Sequence, residues 1–245
     1  MAKVAIFLFN ITPAAYAPWL EAGYEIWTFD AQHAEGITRD GSLVKVGIWL
    51  EPDSGERIVN MVGDADVRFV GSFPPCDDLA VSGARHFAAK LERDPDCQRR
   101  AVGRAKLAEQ LGEYYECPWF AENPVSVMAT LWRKPDHKFH PWHFGGYLTP
   151  DEATHPDYPE YIADWDAYPK LTCLWTGGGF VMPENKSVPE GVAMSNKHAQ
   201  LLRDAITGYS TQYKKLGGKS LKTKNIRSAT PRGFARAVFE ANHHD

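Results

Sequence analysis

An α/β fold, a Rossmann-like sheet with helices on both faces, is what this sequence predicts, and three observations carry the prediction. A strand pattern, a turn, a helix pattern, a glycine and a second strand pattern ending in an acid occupy the first 30 residues. Apolar runs of strand length recur near Val44 to Leu50, Val67 to Ser72, Trp119 to Ala121 and Lys170 to Trp175, with helical patterns between several of them. At 245 residues the chain is long enough for one such domain with a full core and a small appended module.

Taken in order, Val4 to Phe9 is continuously apolar and reads as a buried strand. Asn10-Ile-Thr-Pro13 reads as a turn into a helix that Thr12 can cap and for which Pro13 suits the first position. The helix runs through Trp19 and Leu20 and stops at Gly23. Tyr24 to Asp30 is a second strand, which completes a βαβ unit of about 30 residues of the kind nucleotide-type cofactor folds use. The run from Val67 to Ser72 leads straight into Phe73-Pro-Pro-Cys76. Residues 82 to 115 carry helical periodicity with Arg, Lys and Glu on one face. Trp119 to Ala121 ends at Glu122-Asn-Pro124, and a helix follows to Arg133. Residues 135 to 189 are rich in Pro, Gly, Trp and Tyr. Residues 196 to 209 look helical, 214 to 225 form a basic loop, and Arg232 to Ala241 form a closing helix.

Composition narrows the function classes. Apolar residues make up 44% and charged residues 24%, ordinary for a globular protein, and no apolar run reaches the roughly 20 residues of a membrane-spanning helix. The first residues lack the zones of a signal peptide, so a cytoplasmic location is expected. A net charge of −4 argues against a broad nonspecific nucleic-acid binder. The charge is uneven, however, with eight Lys or Arg and no acid from Lys214 to Arg236. That stretch is either a solvated tail or a face that tracks phosphates. Four widely spaced cysteines without a CxxC pair are, in a reducing compartment, small buried hydrophobes or chemically used thiols.

Two segments carry the chemistry. In Gly71-Ser-Phe-Pro-Pro-Cys-Asp-Asp-Leu-Ala-Val-Ser-Gly83 a strand delivers two prolines and a cysteine. The prolines stiffen the loop and present the Cys76 thiol at the strand's carboxyl end, where α/β sheets bind ligands and a thiolate is a strong nucleophile. In Phe120-Ala-Glu-Asn-Pro124 a second short strand ends in a Glu–Asn pair suited to gripping the edge of a pyrimidine. A buried cysteine in a turn and an exposed strand-end carboxylate are the plainer readings of each part alone.

Together these segments resemble the DNA cytosine-C5-methyltransferases, in particular short proteins of phage and bacterial type. Phe-Pro-Pro-Cys76 with Ser82-Gly83 is similar to that family's nucleophile loop, and Glu122-Asn-Pro124 to its acid motif. Trp132-Arg-Lys-Pro135, Pro141-Trp-His-Phe-Gly145, Lys170-Leu-Thr-Cys-Leu-Trp175, and Arg227-Ser-Ala-Thr230 with Gly233-Phe-Ala-Arg-Ala237 resemble its later blocks, in family order over nearly the whole chain. The resemblance implies a single methyltransferase-like domain over residues 1–245 with the sheet of S-adenosylmethionine-dependent enzymes, and a small target-recognition segment within 146–225. It implies Cys76 as nucleophile and Glu122 as its acid partner. Pro75, Ser82, Asn123, Arg85 and Lys170 are implied around the substrate, the last two as alternative cations for a basic strand motif. DNA is the implied partner and S-adenosylmethionine the implied cofactor, held by Phe9 and Asn10 in the first turn, Asp30 at the ribose and Asp64 at the adenine. The family carries a glycine-rich first turn, whereas Phe9-Asn-Ile-Thr-Pro-Ala14 has no glycine.

That departure keeps two alternatives open: C5 chemistry with another electrophile or on a free nucleotide, and a non-catalytic DNA-binding or decoy relative. Trp165, Trp175, Tyr209 and Tyr213 are candidates to stack on bases. His137, His140 and His143 have a metal-like spacing, but Pro141 breaks any helix there and no fourth ligand is evident, so they read as a polar loop and no metal is expected.

Overall fold

A computed structural model describes residues 2–188, 216 and 220–243. The chain is an α/β protein with a seven-stranded mixed sheet in the order β3-β2-β1-β4-β5-β7-β6. The strands are β1 (Lys3–Leu8), β2 (Glu25–Asp40), β3 (Leu43–Gly47), β4 (Asp66–Ser72), β5 (Trp119–Pro124), β6 (His137–Phe139) and β7 (Thr172–Gly177). The helices are α1 (Ala17–Glu21), α2 (Gly55–Val62), α3 (Phe87–Arg93), α4 (Cys97–Ala105), α5 (Leu107–Tyr114), α6 (Met128–Leu131), α7 (Leu221–Ser228) and α8 (Arg232–Asn242). No helix of the described residues is long and apolar enough to cross a membrane.

Contacts divide the chain into two compact units, one comprising Met1–Lys138, Thr172–Val181 and Asn242–Asp245, the other Phe139–Leu171 and Met182–Ala241. In the first unit β1 lies between β2 and β4, parallel to both, with Leu8 opposite Phe29 on one side and Ser72 on the other. β4 is parallel to β5, with Ser72 opposite Ala121, and β7 is antiparallel to β5, with Leu174 opposite Glu122. The chain winds outward through β2 and β3, then crosses β1 to start β4, so the order reverses between β1 and β4. Ligands of open α/β sheets bind outside the carboxyl ends of strands at such a reversal.

Local chemistry explains the elements and the differences from the sequence-based expectations. β1 is nearly continuously apolar because both of its faces are covered, and Val4 to Leu8 are buried throughout, whereas β4 carries an exposed Arg68 before its buried run Phe69 to Ser72. Trp19 stacks on Phe69 at 4.4 Å between ring centres, sealing the core where α1 crosses the sheet. Gly112 on α5 is required by packing, since a Cβ there would lie 2.1 Å from Cδ1 of the buried Trp119. The first helical turn is a short 3₁₀ piece, Pro13–Ala15, and the Thr12 side chain makes no capping hydrogen bond. The helical stretch expected over 82 to 115 is broken, because Pro95 cannot continue α3 and Asp94 takes a non-helical φ of −152°. β2 is much longer than expected. Its first half, to Asp30, pairs with β3 in parallel, and its second half folds back on β3 with partners in reverse order, Ile37↔Val46 to Asp40↔Leu43. Gly41, at φ +56°, supplies the left-handed residue of the connecting turn.

Among its described residues the second unit has little regular structure. Leu148, Ile162, Trp165, Tyr168, Ile226 and Ala229 form its apolar cluster. The expected basic loop at 214 to 225 becomes helix α7 from Leu221, with the Ser220 hydroxyl accepting from Thr223 N and Thr223 and Ile226 turned inward. Residues 196 to 209, Tyr209, Tyr213, Lys214, Lys215 and Lys219 lie outside the described residues. Trp165 and Trp175 are 7% and 1% exposed, so both belong to packed interiors and neither is a base-stacking surface.

Glu152 and Arg236 make a pH-sensitive contact in this unit. The Arg236 guanidinium, with help from Thr149 N–H and hydroxyl and against some burial, pulls the Glu152 carboxyl down to about 2. A carboxyl depressed in the folded state stabilises above its unfolded value, here 4.5, and that contribution disappears as pH falls through the folded value. Thermal melts should therefore lose a modest increment between about pH 4.5 and 2, small because the pair is solvent-screened, and Glu152→Gln should flatten the profile in that window.

Candidate active site

The site grows from the carboxyl ends of β4 and β5. Four residues beyond β4, Cys76 sits in a turn whose geometry is set by its own carbonyl, which accepts from Leu79 N (3.0 Å) and Ala80 N (2.9 Å). Of the four cysteines, none is in a disulfide, and Cys76 alone is partly exposed while Cys97, Cys117 and Cys173 are buried. Burial pushes the Cys117 thiol up to about 12 and raises Cys173 as well, so neither is a ready thiolate.

Glu122 and Asn123 fall within β5, which runs three residues further than the expected strand end. Asn123 is 1% exposed, and its Nδ2 donates to Pro74 O at 3.1 Å. A carbonyl can only accept, so this bond fixes the amide orientation and ties the acid-bearing strand to the cysteine-bearing loop. The two loops also pair beyond the site, with Val81 N donating to Val125 O and Val127 N to Leu79 O, each at 3.0 Å. Glu122 Oε1 and Asn123 Oδ1 are buried without a hydrogen-bond partner among the described residues, as are the hydroxyls of Ser72 and Ser126. Unsatisfied buried oxygens are uncommon, and each calls for a physical explanation.

The other expected site residues divide. Pro75 is half-buried in the loop, and Ser82 is exposed in the 3₁₀ turn Val81–His86. Arg85 is exposed in that same turn and donates its Nε to His86 Nε2 at 3.1 Å. Lys170 belongs to the second unit, where its Nζ donates to Arg227 O (3.2 Å) and its N–H to His140 Nδ1 (3.1 Å). The His140 ring is thereby engaged in the backbone, and His143 Nδ1 faces His140 N at 3.4 Å. Burial lowers both imidazoles below their ordinary range.

On the cofactor side, Phe9 takes φ +54°, the left-handed conformation that glycine usually supplies, so the turn forms without one. Asn10 turns its amide nitrogen inward. It is 3% exposed, and Nδ2 donates to Thr12 O (3.0 Å) and Thr28 Oγ1 (3.4 Å), which holds the turn closed. Thr28 returns a bond to Asn10 O at 2.7 Å. Asp30 ends the parallel half of β2 beside this turn, and burial raises its carboxyl while Gln32 N–H opposes the rise. His33 approaches Thr28 Oγ1 at 3.5 Å, and burial lowers its imidazole despite the neighbouring Asp30. An acid at the end of the second strand suits ribose hydroxyls, so Asp30 and the Phe9–Asn10 backbone fit a nucleoside cofactor. Asp64 does not join them. It is exposed and precedes β4 at the sheet's amino edge, near Tyr115, which a seven-residue strand puts on the order of 20 Å from the carboxyl edge.

Sequence reading missed Thr28 and His33, and also Lys90 and Gln98, whose bonds to the Cys76 loop are described below. None stands in a motif. Long-range pairing brings them to the site. No family model matches the chain, and no curated protein matches it.

Proposed function

We propose that the chain transfers a methyl group from S-adenosylmethionine to C5 of cytosine in DNA. The observation that carries this reading is the Asn123–Pro74 bond, which couples the loop of a partly exposed cysteine to a strand whose Glu122 keeps a buried oxygen unsatisfied. Nucleophile and acid on adjacent, cross-tied strand ends suit a flipped pyrimidine, whose C6 and N3 must be met together.

In this mechanism the Cys76 thiolate adds to C6, and the electron pair displaced from the C5–C6 bond delocalises towards N3. Glu122 holds or protonates N3, stabilising that charge. Bound S-adenosylmethionine, with its ribose at Asp30, would supply the electrophilic methyl group that C5 accepts. Loss of the C5 proton then re-forms the double bond and expels the Cys76 thiolate. The rigid Pro74-Pro75 segment keeps the sulfur within attack distance of C6. Lys222, Lys224 and Arg227, exposed on an acid-free α7, supply charge of the sign DNA phosphates require.

DNA containing 5-fluorocytosine tests the reading directly. Fluorine at C5 blocks the final proton loss, so with cofactor present a covalent adduct mapping to Cys76 is expected. An adduct on another cysteine, or none, overturns the assignment. Glu122→Gln should lower turnover by about 10²–10⁴ with DNA affinity retained, because an amide cannot transfer a proton. Near-normal turnover in steady-state methylation assays would make Glu122 structural.

A further inference from the structure

The loop that bears Cys76 is held from two sides. Asn123 grips Pro74 O before the cysteine. After it, Lys90 from α3 donates to Asp77 O at 2.6 Å and to Asp78 Oδ1 at 2.7 Å, and Gln98 Nε2 from α4 donates to Asp78 O at 3.2 Å. With Leu79 and Ala80 closing on Cys76 O, the carbonyls of residues 76, 77 and 78 are all engaged in succession. The Lys90–Asp78 pair is partly shielded, at 25% and 29% side-chain exposure. Lys90 thus joins two consecutive residues of one turn to a helix through a single ammonium, a geometry that fixes the turn's position as well as its shape.

We propose that Lys90 is a positioning residue for Cys76, acting through Asp77 and Asp78 to hold the sulfur in line with C6 of the extruded base. The inference rests on the methyltransferase reading. Displacement of a reacting group by about 1 Å can cost on the order of 10² in rate, and Lys90 makes both the bond to Asp77 O and the ion pair to Asp78 described for this turn. A lysine this near a nucleotide-binding edge could instead contact a phosphate, and the two roles differ in what they change. A positioning role slows the addition step at saturating DNA. A phosphate role weakens DNA binding and lowers its salt dependence by a slope of about 0.9.

The experiment measures, at saturating DNA and cofactor, the single-turnover rate of adduct formation on 5-fluorocytosine DNA, alongside the DNA dissociation constant at two salt concentrations. Lys90→Met should slow adduct formation by about 10²-fold while leaving affinity and salt slope unchanged. Lys90→Arg, which keeps charge and reach, should recover most of the rate. Asp78→Asn, which keeps the turn's size but weakens the partner, should reproduce part of the loss and serves if Lys90→Met does not fold. Combining Lys90→Met with Asp78→Asn should add little to the first change alone, as expected for members of one contact. An unchanged adduct rate in Lys90→Met, or a loss confined to DNA affinity, overturns the proposal while the methyltransferase reading stands. Absence of any Cys76 adduct in the wild type overturns that reading first.

Discussion

Cys76→Ser is expected to reduce methyl incorporation into DNA to background while the thermal melt stays where it is. A hydroxyl at neutral pH is a far weaker nucleophile than a thiolate, and the substitution is nearly isosteric at a partly exposed position, so chemistry is lost and packing is kept. The other thiols provide internal controls. Cys117 is buried, with its thiol pushed up to about 12, and Cys173 is buried opposite Asn123 in the β5–β7 ladder. Serine at either should lower stability, through a hydroxyl placed in an apolar interior, and leave turnover per folded molecule intact. Labelled-methyl transfer and melting curves on the same preparations separate the two patterns. Full turnover in Cys76→Ser would remove the covalent mechanism, whatever else the chain does.

How much of this was readable from sequence varies with how local the cause is. β1 was legible because a strand covered on both faces is a continuous apolar run, and β4 because its apolar residues flank a single exposed Arg68. The position of Cys76 beyond the carboxyl end of β4 followed from that run, whereas Glu122, expected just past a strand, lies inside β5, which continues to Pro124. The returning half of β2 was not legible, because residues 31 to 40 are almost all exposed and only their pairing with β3 makes them a strand. A hairpin signal was nonetheless present in Asp40-Gly41, where the turn occurs. Asp64 is the reverse case. Lying after α2 and before β4, it had to fall at the amino edge by chain order alone, so its distance from the cofactor turn follows from topology. α7 was hidden by its composition, since Leu-Lys-Thr-Lys-Asn-Ile-Arg-Ser shows a polar run, and only Thr223 and Ile226, three apart, reveal an inward face. The ties that organise the site, Asn123 to Pro74 and Lys90 to Asp78, join residues 49 and 12 positions apart, and no local pattern announces either.

The second unit holds a position with a large expected effect on stability, Asp166. Asp166 is 1% exposed and accepts from the Arg232 backbone N–H (2.6 Å) and from its guanidinium (2.7 Å), while that guanidinium also donates to Glu152 O at 2.8 Å. One carboxylate therefore pairs a largely shielded cation and satisfies an otherwise orphaned amide at the start of α8. Its importance shows in the backbone it tolerates, for Trp165 and Asp166 both adopt left-handed φ, +63° and +48°, at about 1–3 kcal/mol each. Asp166→Ala leaves the Arg232 charge without its partner in a site 16% exposed, and should cost about 3–5 kcal/mol. For a chain of this length that corresponds to a fall in Tm of about 6–20 °C. Arg232→Met should be comparably damaging, because it strands the carboxylate instead. The double variant separates an ion pair from mere packing. With both charges gone no buried charge is left unpaired, so Asp166→Ala with Arg232→Met should be less destabilised than the sum of the two, and near the milder single variant. Strict additivity in calorimetric melts, or a Tm within about 2 °C of wild type for Asp166→Ala, would mean that α8 is held by its apolar face alone, through Phe234 and Val238.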